Sequence, residues 1–222
     1  MKYSATIIQL LFIVSLFWIF WTPGIKVAAD FHTSSAANLA DNVYPFTWKD
    51  TIVAGGLGEY TVNVLWSQPL HGLFGILSLF SIPFEVVEKI LGLLCLSLAF
   101  FGVNMLLTFL KVGFWGRVVG AIFYLTNTFF ILLFDGGQLP LALGYGVLPL
   151  TILYFLKNSL WFSFWLVILS FLDIRLLYIV GIILFIYLLT ELILRQTVNF
   201  KKIFIIFTLS LIALVGIHAY WI

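Results

Sequence analysis

Residues 160–195 read LWFSFWLVILSFLDIRLLYIVGIILFIYLLTELILR, and the only charged side chains in the run are Asp173, Arg175, Glu191 and Arg195. As one helix, the roughly 35 residues from Leu160 to Leu194 would extend about 52 Å at about 1.5 Å per residue, far beyond a hydrocarbon core of about 30 Å. A single span would also carry Arg195, Lys201 and Lys202 to the side opposite the chain's other short basic loops. Two helices turning at Asp173-Ile174-Arg175 remove both difficulties. The first of them is short, about 20 Å, and needs shielding by neighbours.

Outward from this stretch the same logic applies. Apolar residues make up 63% of the 222-residue chain and charged residues 9%, with a mean hydropathy of +1.17. A soluble domain of this size has too little interior for so much apolar surface, whereas lipid permits apolar outward faces. The expected fold is an all-α integral membrane protein, a polytopic bundle of about seven transmembrane helices. Spans are expected at 7–25, 86–110, 118–134, 139–156, 160–172, 176–194 and 203 to the end. The piece LHGLFGILSLFSIPF, ending near Pro83, reads as an interfacial or partly inserted helix. Pro140, Gly144, Gly146 and Pro149 predict a kink or break in the span from Leu139.

Charge placement sets the sidedness. With Lys2 cytoplasmic, alternation places Lys111, Arg117, Lys157, Arg195, Lys201 and Lys202 on the same side, seven of eleven basic residues in all. Asp30, Asp41, Asp50, Glu59, Asp135 and Asp173 then fall outside, as the positive-inside rule requires. The whole chain, 1–222, reads as one transmembrane module in a cell membrane, with residues 26–70 as a long first extracytoplasmic loop. The apolar ending HAYWI reads as the N-terminal part of a larger protein. Val27-Ala28-Ala29 offers a cleavage site for the alternative of a signal peptide.

The net charge of +2 and the absence of a Lys/Arg cluster interleaved with aromatics exclude nucleic acid as the expected partner. The single cysteine, Cys95, excludes an internal disulfide and a cysteine-based metal site. Gly55-Gly56-Leu57-Gly58 lacks a strand–helix frame and reads as a flexible turn. Asn104 and Asn127, inside spans, read as bridges between helices, and Glu191 and Arg195 as a pair one helical turn apart.

Chemistry concentrates in the first loop, which holds Asp30, His32, Asp41, Trp48, Asp50, Glu59, Trp66 and His71. A carboxylate just after a span stands where a lipid-linked substrate presents its head group. There it can take a proton from an attacking hydroxyl or hold a divalent cation against phosphate. Tryptophans stack on sugar faces and also anchor spans at the interface. Asp135-Gly136-Gly137-Gln138 forms a second external turn. His32 and His71 have no metal-ligand spacing, so no metal ligand is assigned.

The segments TPGIKVAADFH (22–32), AIFYLTNTFFILLFDGGQLPLALGYGVLPL (121–150), SFLDIRLLYIV (170–180) and HAYWI (218–222) resemble the GT-C superfamily of polyprenyl-phosphate-sugar-dependent glycosyltransferases. More specifically, the chain is similar to the N-terminal membrane region of arabinofuranosyltransferase-like and YfhO-like membrane proteins. The resemblance implies sugar transfer from a lipid-linked donor to an extracytoplasmic glycan acceptor, with Asp30 as base on the acceptor hydroxyl. Asp41, Asp50, Glu59, His32, Trp48 and Asp135 are the expected substrate-binding residues, and Asp41 or Asp50 can replace Asp30 or bind a divalent cation. The family's paired-Asp signature is absent, since His32 stands two residues after Asp30. A transporter or flippase of a lipid-linked glycan and a non-catalytic membrane subunit are the other two readings. Ionisable residues at span ends rather than inside spans favour surface chemistry over translocation.

Overall fold

The computed structural model describes residues 7, 11, 14, 15, 17, 21–24, 43, 44, 48, 49, 59, 60, 68–136, 138–194 and 200–219, with backbone alone at 48, 49, 59, 60, 68, 135, 200 and 201. Among them are two two-residue strands, β1 (Trp48–Lys49) and β2 (Glu59–Tyr60). Eight helices follow: α1 (Gln68–Leu79), α2 (Phe84–Phe109), α3 (Phe114–Thr126), α4 (Thr128–Asp135), α5 (Leu139–Leu156), α6 (Trp161–Leu172), α7 (Ile174–Ile193) and α8 (Phe200–His218).

By length and apolarity α2, α5 and α7 can each cross a membrane, and α3 with α4, bent by 46°, is long and apolar enough for a fourth span if the pair counts as one. The helices α1, α6 and α8 are apolar but shorter over their fully described parts. The architecture is therefore helical with three to four candidate spans. In the first expected span, Ile7, Leu11, Val14 and Ser15 are helical, and the rest of it lies largely outside the described residues.

The core is the crossing of α2 with α5, the most extensive helix pairing among the described residues. In lipid, apolar burial does not drive helices together; close backbone approach and interhelical hydrogen bonds do. Gly92, Cys95, Ala99 and Gly102 form a buried small-residue stripe on α2, and Cys95, Ala99 and Gly102 of it meet Gly146 of α5. A Cβ at Gly146 would sit 3.0 Å from the Cys95 carbonyl oxygen and 3.2 Å from the Ala99 amide nitrogen. One at Gly102 would sit 3.3 Å from the Gly146 carbonyl oxygen. Of α5's apolar run 67% is buried, against 17% for α7, so α5 is the central helix and α7 the peripheral one.

Contacts fix the helix directions. Gly146 meets Cys95–Ala99 while Pro149 and Leu150 meet Gly102, so α2 and α5 run parallel. Phe155 near the end of α5 touches Phe162 at the start of α6, and Gly144 faces Leu169 and Leu172 near the end of α6. These two are antiparallel. Ser163 Oγ lies 2.8 Å from Ser210 Oγ, and Ser170 Oγ lies 2.8 Å from His218 Nε2, so α6 and α8 are parallel.

The turns are tight and alike. Ser81, Lys111 and Asn158 take left-handed backbone conformations with φ of 58°, 59° and 49°. In each turn the next amide reaches back to a carbonyl five residues earlier: Ile82 to Leu77, Val112 to Leu107, Ser159 to Tyr154. These are Schellman ends, and they satisfy helix carbonyls without glycine.

Of the kink or break expected in the Leu139 span, a break is absent, and α5 runs as one helix through Pro149. The break falls in the 118–134 span, at Asn127. Its side chain covers both broken ends. The Oδ1 accepts from the Phe130 amide at 3.0 Å, and Nδ2 donates to the Tyr124 carbonyl at 2.6 Å and the Tyr145 hydroxyl at 2.9 Å. Asn127 is thus the interhelical bridge expected of it. Asn104 is not, since it bonds the Phe100 carbonyl of its own helix.

Candidate functional site at one end of the bundle

The helix directions bring Glu85, Glu88, Ser170, Asp173, Arg175 and His218 to one end, formed by the starts of α2, α5 and α7 and the finishes of α4, α6 and α8. Asp173 is the linker between α6 and α7, as the sequence requires, and it caps α7. Its Oδ1 accepts from the Arg175 amide at 2.8 Å, a bond that satisfies one of the free amides of the first helical turn. The Arg175 side chain closes a forked pair on the same carboxylate, with Nη2 2.6 Å from Oδ2 and Nε 2.9 Å from Oδ1. The carboxylate is 3% exposed and the arginine side chain 69%. A buried anion is thus compensated by a cation whose outer edge faces the surroundings.

Beside it, Ser170 and His218 are both buried and hydrogen-bonded to each other. Glu85, in the first turn of α2, accepts from the Gly24 amide at 2.7 Å. One turn further along, Glu88 is fully buried, with its Oε2 3.5 Å from Lys89 Nζ. The opposite end carries Arg117, whose Nη1 donates to Thr108 Oγ1 at 2.8 Å, and Lys157, whose Nζ stands 5.8 Å from the Phe109 ring centroid.

Of the residues expected from sequence to form the site, Asp30, His32, Asp41 and Asp50 lie outside the described residues. Trp48 and Glu59 are described by their backbone, and β1 and β2 pair antiparallel with Trp48 opposite Tyr60 and Lys49 opposite Glu59. This brings two expected loop residues into one ladder although they are eleven positions apart. Asp135 closes α4 at the polar end of the bundle. Among the described residues no three His, Cys, Asp or Glu side chains converge as a metal site. Asp41 and Asp50, the loop carboxylates expected to bind a divalent cation, lie outside the described residues.

Sequence reasoning did not single out Ser170, His218 or Glu88. The first two are 48 positions apart, on helices whose neighbourhood no local pattern specifies. Glu88 carried a readable signal, an acid just inside an apolar run, where burial demands compensation.

No protein-family model matches this chain, and no curated protein or solved structure matches it either.

Proposed function

We propose that this chain is the membrane module of a glycosyltransferase that moves a sugar from a polyprenyl-phosphate donor to a glycan acceptor outside the cytoplasm. In this reading α2, α3 with α4, α5, α6, α7, α8 and the first apolar run make seven spans, with the N-terminus cytoplasmic and the polar end of the bundle extracytoplasmic. The observation that carries it is the bond from the Gly24 amide to Glu85. It ties the end of the first apolar run to the same end of the bundle as Asp135 and the Asp173–Arg175 pair. Asp30 is six residues further on, so the chain holds it within about 20 Å of Gly24. A carboxylate confined there can serve a substrate whose reactive group sits at the membrane boundary.

The charges support surface chemistry. Asp173 lies between two helices, and Glu88 one turn inside α2, so neither is at mid-span. The test is transfer by the full-length protein in membranes against a panel of polyprenyl-phosphate sugars. Turnover of one donor supports the reading. Transbilayer movement of a lipid-linked glycan without transfer would replace it with the flippase reading.

A further inference from the structure

At the end of the bundle opposite Asp173, α2 and α5 finish side by side, and two cations close on the last turn of α2 from different directions. Arg117, near the start of α3, donates from Nη1 to Thr108 Oγ1 at 2.8 Å. Lys157, just past α5, sets its Nζ over the Phe109 ring, 5.8 Å from the centroid, and over the Tyr154 ring at 5.5 Å. Thr108 and Phe109 are consecutive and exposed, so they bring the two charges to one place. They also end an exposed apolar stripe of the same helix: Phe101, Met105 and Phe109, four apart and therefore on one face, are 48%, 42% and 40% exposed.

We propose that this stripe seats one anionic phospholipid, with its phosphate between Arg117 and Lys157 and one acyl chain along Phe101, Met105 and Phe109. The inference rests on the spanning reading of α2 given above and is independent of the catalytic one. Three observations commit the seat to that occupant. The first is charge. Among the described residues no carboxylate pairs with Arg117, Lys157 or the exposed Lys111. Glu191, the one acid described at this end, interacts with Tyr187. A cluster of cations with no internal counter-ion attracts an anion.

The second is donor capacity. A guanidinium has five N–H groups in a fixed fork. Thr108 takes one of them, and the Nε of Arg117 is buried without a partner. The remaining Nη donors suit phosphate oxygens, and the bond to Thr108 holds them at the end of the stripe. The third is depth. Lys111 and Lys157 are each followed four residues later by an exposed tryptophan, Trp115 and Trp161. Tryptophan settles at the membrane–water boundary, which puts the cations at headgroup level and leaves Phe101 and Met105 among the acyl chains. A water-soluble anion would match the cations alone, whereas cations that end an apolar stripe match an amphiphile.

The experiment uses the full chain reconstituted in vesicles of equal parts dioleoyl phosphatidylglycerol and dioleoyl phosphatidylcholine, which differ only in headgroup, released gently and weighed intact by mass spectrometry. The wild type should retain phosphatidylglycerol in preference to phosphatidylcholine. A cation beside an acidic headgroup is worth about fivefold in affinity. Arg117→Gln and Lys157→Gln should therefore each lower the preference about fivefold, and Lys157→Arg should keep it. Lys202→Gln removes the same charge from α8 and should leave the preference unchanged. An unchanged preference in Lys157→Gln overturns the proposal, and so does an equal loss in Lys202→Gln, because diffuse charge would then be responsible. Displacement of the lipid by glycerol phosphate overturns it in favour of a soluble anion. A wild-type dimer that Met105→Trp splits overturns it in favour of a second copy of the chain. In parallel, Phe101→Cys in a Cys95→Ala background should resist a water-borne maleimide. Labelling there overturns the spanning of α2 and the seat with it, whereas protection beside an unchanged preference in Lys157→Gln overturns the lipid seat alone.

Discussion

The hydroxyl of Tyr124 donates to the backbone carbonyl of Tyr145 at 2.7 Å, and that carbonyl is the one left without a helical partner by Pro149. Proline has no amide hydrogen to give to the residue four positions earlier. In lipid no water can take its place. The two tyrosine rings stack at 4.2 Å with 14° between planes, and Asn127 donates to the Tyr145 hydroxyl. The bonds that hold the bend at Asn127 and the bond that excuses Pro149 are one network.

Removing that donor should cost less when the proline is also removed. Tyr124→Phe should destabilise the bundle by about 1–2 kcal/mol, the size of an interhelical hydrogen bond and an orphaned carbonyl. In a Pro149→Ala background, where residue 149 supplies its own amide, the same change should cost well under half as much. Reversible unfolding in mixed micelles of all four proteins measures the coupling. Additive effects would show that the Tyr145 carbonyl is satisfied some other way.

Glycine substitutions should divide by position. Gly146→Ala places a methyl group 3.0 Å from a backbone oxygen of α2, so the helices must part, and a loss of about 1–3 kcal/mol is expected. Gly181→Ala meets open space and should be neutral or raise stability by about 0.5–1 kcal/mol through helix propensity. Thermal unfolding in detergent ranks them. Equal effects would contradict the α2–α5 crossing.

Sidedness follows from the proposed seven spans. Single cysteines at Ser35 and Gly113, in a Cys95→Ala background, should label from opposite faces of sealed vesicles with an impermeant thiol reagent. Labelling from one face would overturn the topology and the placement of the loop together.

On the proposed reading, Asp30→Asn should abolish transfer while leaving expression and donor binding nearly intact. The amide keeps the size but cannot accept the acceptor's proton. A positioned base is worth about 10² to 10⁴ in rate, or roughly 3–5 kcal/mol. Asp41→Asn and Asp50→Asn are the comparisons, because a general effect of loop charge would lower all three alike. A dead Asp41 or Asp50 variant beside an active Asp30→Asn moves the base, and full activity in all three removes the loop from catalysis.

Helix positions were legible where the physics is local. The run 139–156 coincides with α5, 160–172 with α6 to within one residue, and Asp173 parts α6 from α7. Length against membrane thickness and the cost of a buried charge are properties of consecutive residues. The break at Asn127 was not legible as a break, because one Asn in an apolar run can equally bond its own helix, as Asn104 does. Of the site, the Asp173–Arg175 turn could be placed from sequence.

The sequence by itself thus determined that the chain is rich in helices apolar enough to cross a membrane, and where most of the described helices lie. Composition and run length do not depend on how helices are arranged. Only the tertiary structure decided that Pro149 leaves α5 whole, that α2 and α5 run parallel along a stripe of small residues, and that Ser170 and His218 meet. Each depends on a group supplied by another helix: the Tyr124 hydroxyl, the Ala99 amide close to Gly146, the imidazole of α8. Hydrogen bonds and close packing between helices are set by three-dimensional neighbours, and an apolar run looks the same whichever neighbour it meets.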